Sequence, residues 1–257
     1  MNQIKAGKVK YRIIFSAILS VLILNSCAEK KDGEKKTTLL SNILSITANE
    51  DNGVKEILNF YGGYCEYSIG KSSSTEEGNK TFFELKLSKS DVIEKYANKV
   101  ELPASNTAFL FAKHLKKEQE NYDEIRVVIL LNNEKEYTFK YEMEQLKTVE
   151  DRVPVMEQVI ENIKNKTFLE IGNYLNNESI YKYNKTELLT NLEKVNGKFG
   201  EVQNFYTYGF KFHTFEDGME ILHISGMVIR DIQNHQFSAE FDLSAPKDEL
   251  LKIDYKF

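Results

Sequence analysis

Residues 206 to 230 decide the fold of this chain, and they read Tyr206-Thr-Tyr-Gly-Phe-Lys-Phe-His-Thr-Phe-Glu-Asp-Gly-Met-Glu-Ile-Leu-His-Ile-Ser-Gly-Met-Val-Ile-Arg230. Aromatic residues occupy alternate positions from Tyr206 to Phe212, and this period of two predicts a β-strand. Asp217-Gly218 favours a tight turn, and the segment that follows it has the composition of a returning strand. The stretch therefore predicts an antiparallel hairpin.

A two-residue loop at Asp217-Gly218 would set the register of this hairpin. It places Phe212 opposite His223 and puts His213 on the other face of the sheet. One face is then mostly apolar and carries Tyr206, Tyr208, Phe210, Phe212, His223, Ser225, Met227 and Ile229. Two interpretations stay open: these side chains fill the core beneath helices, or they line a ligand pocket. In the second case the candidate ligand-binding residues are Tyr206, Tyr208, His223, Ser225 and Met227.

Two further segments with strand periodicity follow the hairpin, Gln236 to Leu243 and Leu250 to Phe257. Together the four segments predict an antiparallel meander. Two helices are predicted before it, one from Val153-Pro154 to about Asn176 and one from Asn184, its N-cap, to Gly197. This order predicts an α+β domain over residues 151–257, with N-terminal helices packed on a curved sheet.

This half resembles the nuclear transport factor two-like domains of unknown function. The likeness lies in Phe168-Leu169 leading to Leu175, in the Leu188-Leu189 helix, in Phe199-Gly200 and in the aromatic strand. The resemblance implies a cone-shaped fold in which the concave sheet face and the first helix enclose a pocket. It does not imply a reaction.

The first half, residues 39–150, is predicted to be a second α+β domain with a mainly antiparallel sheet. Its predicted elements are a helix from Asn52 to Gly62-Gly63, strands at 64–69 and 81–88 around a loop at 71–79, a helix capped by Ser105 or Asn106 and ending near Glu118, and a hairpin of strands 124–131 and 136–142. This half resembles an uncharacterised region of Bacteroidota lipoproteins through Tyr61-Gly-Gly63, Phe83-Glu-Leu-Lys-Leu-Ser88 and Ser105-Asn-Thr-Ala-Phe-Leu-Phe111.

The chain begins with a targeting pattern. A basic segment is followed by an apolar run from Ile13 to Leu24, too short for a permanent membrane span, and the run closes on Leu24-Asn25-Ser26-Cys27. This ending resembles the bacterial lipoprotein signal. The resemblance implies cleavage after residue 26 and acylation of Cys27, for example with palmitate, so that residues 27–38 form a tether. A cleaved secretory signal or a short core helix, with Cys27 incidental, are the alternatives.

Lipidation would place the protein in the cell envelope. The outer membrane is favoured over the inner, with the body in the periplasm or at the cell surface. The chain has 34 Lys and Arg against 39 Asp and Glu, and removing the four bases of residues 1–26 leaves a formal charge of −9. Such an acidic chain argues against nucleic acid as a partner. Cys65 is the remaining cysteine once Cys27 is acylated, so no intrachain disulfide is expected.

The sequence carries no strong catalytic signature. His-Glu-x-x-His, paired-cysteine, Walker and Gly-x-Ser-x-Gly motifs are absent, and His213 and His223 are predicted to lie on opposite faces, so neither a metal nor a cofactor is expected. Cys65 reads as a small buried hydrophobe or a reactive thiol. Asp and Glu are predicted mostly at turns and in the opposite register, away from the apolar face of the sheet. This leaves no obvious general base.

We therefore expect a non-enzymatic, lipid-anchored module that binds an apolar small molecule or an envelope protein. The alternative is a small-molecule enzyme of the isomerase or dehydratase type that uses His223 with Tyr206 or Tyr208 on the concave face. A purely structural envelope component is a third possibility.

Overall fold

The computed structural model describes residues 46–75, 78–177, 179–245 and 249–256. The predicted signal peptide, Cys27 and the tether lie outside these residues. All described residues belong to one compact unit, residues 40–257. Its two four-stranded sheets and the helices beside them confirm the predicted α+β class.

In the described part of the first half, helices precede each of two pairs of strands. These elements are α1 (Ala48–Tyr61), β1 (Tyr64–Ser74), β2 (Gly78–Ser88), α2 (Asp91–Glu94), α3 (Glu101–Leu115) with a 3-10 turn (Lys116–Asn121), β3 (Glu124–Leu130) and β4 (Glu136–Glu142). The sheet order is β1-β2-β3-β4, with antiparallel outer pairs and a parallel β2-β3 pair. A mainly antiparallel sheet was predicted and is confirmed. The predicted loop at 71–79 is wrong in part, because β1 and β2 continue their pairing out to Ser74 and Gly78.

Helix α1 begins four residues before its predicted start at Asn52. Thr47 forms a capping box: its hydroxyl accepts from the backbone N–H of Glu50, and the Glu50 carboxylate accepts from the backbone N–H of Thr47. The helix ends as predicted at Gly62, which has a φ of 65°. The predicted start is therefore wrong, because the Thr47-x-x-Glu50 capping box starts the helix at Ala48.

Helix α3 is the structural centre of the molecule. It packs against α1 and against strands of both sheets, and even its polar residues Ser105, Asn106 and Thr107 are at most 1% exposed. The predicted cap at Ser105 or Asn106 is wrong, because the helix starts at Glu101 and these residues lie inside it. One continuous cluster of buried side chains therefore runs through both halves of the chain.

The second half places its helices before its strands, as predicted. Its elements are α4 (Met143–Lys164), α5 (Phe168–Ile171), α6 (Lys185–Phe199), β5 (Val202–Thr214), β6 (Glu220–Arg230), β7 (His235–Asp242) and β8 (Lys252–Lys256). Pro154 lies well inside α4, so the predicted helix start at Val153-Pro154 is wrong. Met143, Leu146 and Val149 are buried and extend the apolar stripe by ten residues. The boundary predicted between residues 150 and 151 thus falls within a continuous helix.

The predicted meander is confirmed, since β5, β6, β7 and β8 pair in that order and each pair is antiparallel. The predicted cap of α6 is also confirmed: the Asn184 side chain accepts from the backbone N–H of Glu187 at 3.2 Å. The helix passes Gly197 and ends at Phe199, before Gly200 with its φ of 80°.

The register predicted for the β5-β6 hairpin is wrong by one residue. The backbone N–H of Phe215 donates to the carbonyl of Met219 at 2.9 Å, and that of Gly218 donates to Phe215 at 3.0 Å, so the loop has three residues. Gly218 has a φ of 90°, the left-handed conformation that such a loop requires at its last position. Phe212 consequently pairs with Leu222 instead of His223.

This shift redistributes the side chains between the two faces of the sheet. Phe210 and Phe212 share the face of Leu222 and Ile224, which belongs to the buried core. His223 pairs with Lys211 on the opposite face. His213, two residues from Lys211, lies on that same face, so the prediction that the two histidines lie on opposite faces is wrong.

Candidate functional site

An apolar cavity of about 210 Å³ lies between the second sheet and the helices of the first half. The sheet contributes four residues, and helices α1, α2 and α3 and the turn that follows α2 contribute the others. The lining consists of Phe60, Tyr61, Val92, Tyr96, Pro103, Tyr206, Tyr208, Met227 and Ile229. We call this space the inner cavity.

A bulge in β5 brings two tyrosines to the inner cavity. The pairing shifts between Thr207 and Gly209, so that Tyr208 is an extra residue that faces no single residue of β6. Tyr206 pairs with Met227 and shares its face. Without the bulge, strict alternation would place Tyr206 and Tyr208 on the same face as Phe210. The bulge breaks this alternation, and both tyrosines line the inner cavity.

The side-chain oxygens around the inner cavity are phenolic hydroxyls. The hydroxyl of Tyr61 accepts a hydrogen bond from Nδ2 of Asn106 at 3.0 Å. Burial raises the pKa of Tyr61 well above its usual range. Burial likewise raises the pKa of Tyr208, and a hydrogen bond with Ser225 opposes that shift. The inner cavity is therefore uncharged at neutral pH.

Ser225, His223 and Glu240 form a hydrogen-bonded series behind Tyr208. Ser225 Oγ lies 3.0 Å from His223 Nε2, and His223 Nδ1 lies 3.2 Å from Glu240 Oε1. The Tyr181 hydroxyl donates to the second carboxylate oxygen of Glu240. An ionised carboxylate can only accept, so the neutral imidazole carries its proton on Nδ1 and Ser225 donates to Nε2.

The neighbours of Glu240 keep this carboxylate ionised. The hydrogen bond from His223 is the largest cause of its lowered pKa; burial acts in the opposite direction, and Tyr181 and Lys252 lower the pKa further. Burial and the charge of Glu240 in turn raise the pKa of Tyr181 above its usual range. The series thus consists of an anchored carboxylate, an oriented imidazole and a hydroxyl directed at it.

The structure brings the five predicted ligand-binding residues together, in two different roles. Tyr206, Tyr208 and Met227 line the inner cavity. Ser225 and His223 do not line it and lie behind Tyr208, in the hydrogen-bonded series. Phe210 and Phe212, which were expected on this face, lie on the opposite one because of the register shift.

Sequence reasoning missed the residues that close the inner cavity and the carboxylate behind it. Phe60, Tyr61, Val92, Tyr96 and Pro103 come from the first half, and no local pattern links them to β5, which begins only at Val202. Glu240 pairs directly with His223 across β6 and β7. Glu240 is thus an exception to the predicted placement of Asp and Glu mostly at turns and in the opposite register, and alignment of these two strands could have identified it.

A second cavity of about 530 Å³ adjoins the first, and we call it the outer cavity. It opens between α1, α3, α4 and β5. Its lining consists of Glu56, Asn59, Phe60, Phe109, Leu110, Lys113, Val153, Glu157, Phe205, Tyr206 and Thr207. In contrast to the inner cavity, it carries charged side chains.

Metal binding and the Cys65 thiol are two further candidates for chemistry. Among the described residues, no group of three or more His, Cys, Asp or Glu side chains is arranged to hold a metal ion. Burial raises the pKa of the Cys65 thiol to about 12, which disfavours the reactive thiolate at neutral pH. Cys65 packs against the core, in agreement with a small hydrophobe.

Comparisons with family models, with curated proteins and with solved structures found no significant match to this chain. Within the part of the chain that the structure describes, no helix is both long and apolar enough to cross a membrane.

Proposed function

We propose that this protein is a lipid-anchored envelope component whose body binds a small apolar molecule in the inner cavity without converting it. The observation that supports the proposal best is the lining of that cavity, which is apolar and aromatic and carries no charged side chain. Ligand sites are typically concave and apolar with a few polar groups that orient the ligand. The phenolic hydroxyls of Tyr61 and Tyr208 would supply that orientation.

Native mass spectrometry of residues 37–257, which include the whole compact unit, tests this proposal. We expect an additional mass from a retained apolar molecule, or binding of the neutral probe N-phenyl-1-naphthylamine to the empty protein. Met227→Trp should fill the cavity and weaken binding at least tenfold. Met219→Trp, directly after the hairpin loop and outside both cavities, is the matched control. Equal binding by both variants would contradict the proposal.

The proposed anchor rests on the resemblance of residues 24–27 to the lipoprotein signal. Cys27→Ala removes the sulfur atom that would form the thioether bond to the lipid, and the methyl group of alanine is not a nucleophile. We expect the variant to lose incorporation of labelled palmitate and to leave the membrane fraction. Palmitate labelling that persists in Cys27→Ala would contradict the anchor and would leave the binding proposal untouched.

The hydrogen-bonded series favours a second candidate, an isomerase that moves a proton next to a carbonyl group. Glu240 orients the imidazole of His223, which is the arrangement of a general base and its positioning carboxylate. Ser225 connects this base to Tyr208, whose hydroxyl is at the inner cavity. The series could therefore exchange a proton with a ligand there.

A β,γ-unsaturated ketone such as cyclohex-3-en-1-one is a suitable probe for this second candidate. Its isomerisation to the conjugated enone is followed by ultraviolet absorbance. A rate above background that is lost in His223→Gln, and retained in His213→Gln on the same sheet face, would support the enzyme. A ligand recovered unchanged, with no rate above background, would favour the binding module.

A further inference from the structure

The inner and outer cavities are separated by a pair of aromatic rings. Phe60 and Tyr206 line both cavities, and their ring centroids lie 6.3 Å apart at an interplanar angle of 80°. Tyr206 is 47% exposed, so its ring is not locked on all sides by packing. The contact between these two side chains is therefore a boundary that both cavities share.

The outer cavity has an excess of negative charge. It is lined by two carboxylates, Glu56 and Glu157, and one ammonium group, Lys113. Lys113 Nζ lies 2.7 Å from Glu56 Oε1, and the other oxygen of Glu56 contacts His114. Glu157 is exposed and forms no ion pair with a Lys, Arg or His among the described residues. Its carboxylate is therefore available to a cation in the cavity.

Aromatic rings in the outer cavity favour the same sign of charge. The rings of Phe60, Phe109, Phe205 and Tyr206 line it. The negative face of such a ring attracts ammonium groups. Lys113 Nζ already lies 6.0 Å from the centroid of the Phe109 ring, which shows that the outer cavity accommodates an ammonium group beside an aromatic ring.

We infer that the ligand is a single-chain amphiphile with an ammonium head. Its apolar chain occupies the inner cavity, it passes between Phe60 and Tyr206, and its head lies in the outer cavity near Glu157. A volume of about 210 Å³ is small for a ligand site and therefore favours a single chain over two. This inference rests on the proposed function, because it requires the inner cavity to take an apolar group.

Three ten-carbon amphiphiles that differ only in the head distinguish this inference from its alternatives. Decyltrimethylammonium, decyl sulfate and decyl maltoside are titrated into residues 37–257 by calorimetry, each below its micelle-forming concentration. We expect the ammonium compound to bind at least tenfold more tightly than the sulfate, with the maltoside in between. Met227→Trp should abolish binding of all three.

Glu157→Gln tests the head-group site directly. It should weaken binding of the ammonium compound about twofold to fivefold, the size expected for an exposed ion pair, and leave decyl maltoside unchanged. Glu161→Gln is the matched control, since Glu161 is one turn further along α4, exposed, and outside the cavity. Equal affinity for the three heads, or equal effects of the two variants, would overturn the ammonium inference while the inner cavity stays a binding site. Failure of all three compounds to bind would overturn the proposed function itself.

Discussion

Gly209 of β5 packs directly against the backbone of Leu102 in α3. A Cβ atom at position 209 would lie 2.8 Å from the carbonyl oxygen of Leu102 and 2.9 Å from its Cα. Nearby, the backbone N–H of Phe210 donates to Ser105 Oγ at 2.9 Å. The edge strand of the second sheet is thus attached to the helix that also packs on the first sheet, and this joint holds the walls of the inner cavity in place.

Gly209→Ala should destabilise the protein. The new methyl group meets backbone atoms, which cannot rotate away, so helix and strand must separate at a cost of about 1–3 kcal/mol. Urea unfolding measures the loss. Gly197→Ala is the control: position 197 lies inside α6 with open space around it, and the change should stabilise by about 0.5–1 kcal/mol because alanine favours the helix. Equal stability of both variants would show that the joint is not tightly packed.

Ser105→Ala should destabilise through a different mechanism. The change leaves the buried backbone N–H of Phe210 without its acceptor, at a cost of about 1–3 kcal/mol. Thr190→Ala removes an exposed hydroxyl that donates to a backbone carbonyl within α6, and should change stability by less than about 0.5 kcal/mol. The same urea unfolding compares the two, and a Ser105→Ala loss no larger than that of Thr190→Ala would contradict the role of this bond.

Periodicity predicted the strands of the second sheet well and their register poorly. Alternation in a strand shows which of its own side chains are buried, and it predicted the bounds of β5 to β8 to within a few residues. The register between two strands depends in addition on the length of the loop that joins them, which alternation does not determine. Asp217-Gly218 fits a two-residue turn and equally the end of a three-residue loop, and that single residue moved His223 from opposite Phe212 to opposite Lys211.

The candidate site was half predictable for the same reason. Tyr206, Tyr208 and Met227 could be named because they lie on one face of the predicted hairpin, although the bulge in β5 is needed to separate the two tyrosines from Phe210 and Phe212. The opposite wall of the inner cavity depends on how α1, α2 and α3 pack on the second sheet. It consists of Phe60, Tyr61, Val92, Tyr96 and Pro103. That packing joins residues far apart in the chain, which a local pattern does not encode.

Substitutions at Gly218 test the conformation of the three-residue loop. The φ of 90° at Gly218 is strained for any residue with a side chain, although no atom would clash with a Cβ there. Gly218→Ala should therefore cost about 1 kcal/mol, whereas Gly218→Asn should cost less because asparagine tolerates this conformation. Thermal unfolding orders the three proteins. An alanine variant as stable as the asparagine variant would contradict the loop conformation.

His235 should make stability depend on pH between about 4 and 6.5. It is 3% exposed, with ring centroids 5.6 Å from Phe199 and 4.5 Å from Tyr255. Burial, and then the charge of Arg230, lower its pKa from 6.5 to about 4. In this window the unfolded chain binds a proton that the folded protein does not, so the free energy of unfolding falls as the pH falls. The contribution is fully present above pH 6.5, and its loss approaches about 3 kcal/mol below pH 4.

His235→Phe keeps an aromatic ring between Phe199 and Tyr255 and removes the titrating group. Urea unfolding at pH 7, 5.5 and 4.5 should show a smaller decrease in the free energy of unfolding for the variant than for the wild type, whatever its stability at pH 7. Glu240 and Glu56 also have lowered pKa values, so their contribution to the free energy of unfolding is lost mainly below about pH 4.5. This contribution is the same in the variant and in the wild type. Gly209→Ala is the control, because it should lower stability equally at each pH and keep the wild-type slope. Parallel pH dependences for His235→Phe and the wild type would mean that the buried imidazole takes up its proton as easily in the folded protein as in the unfolded chain.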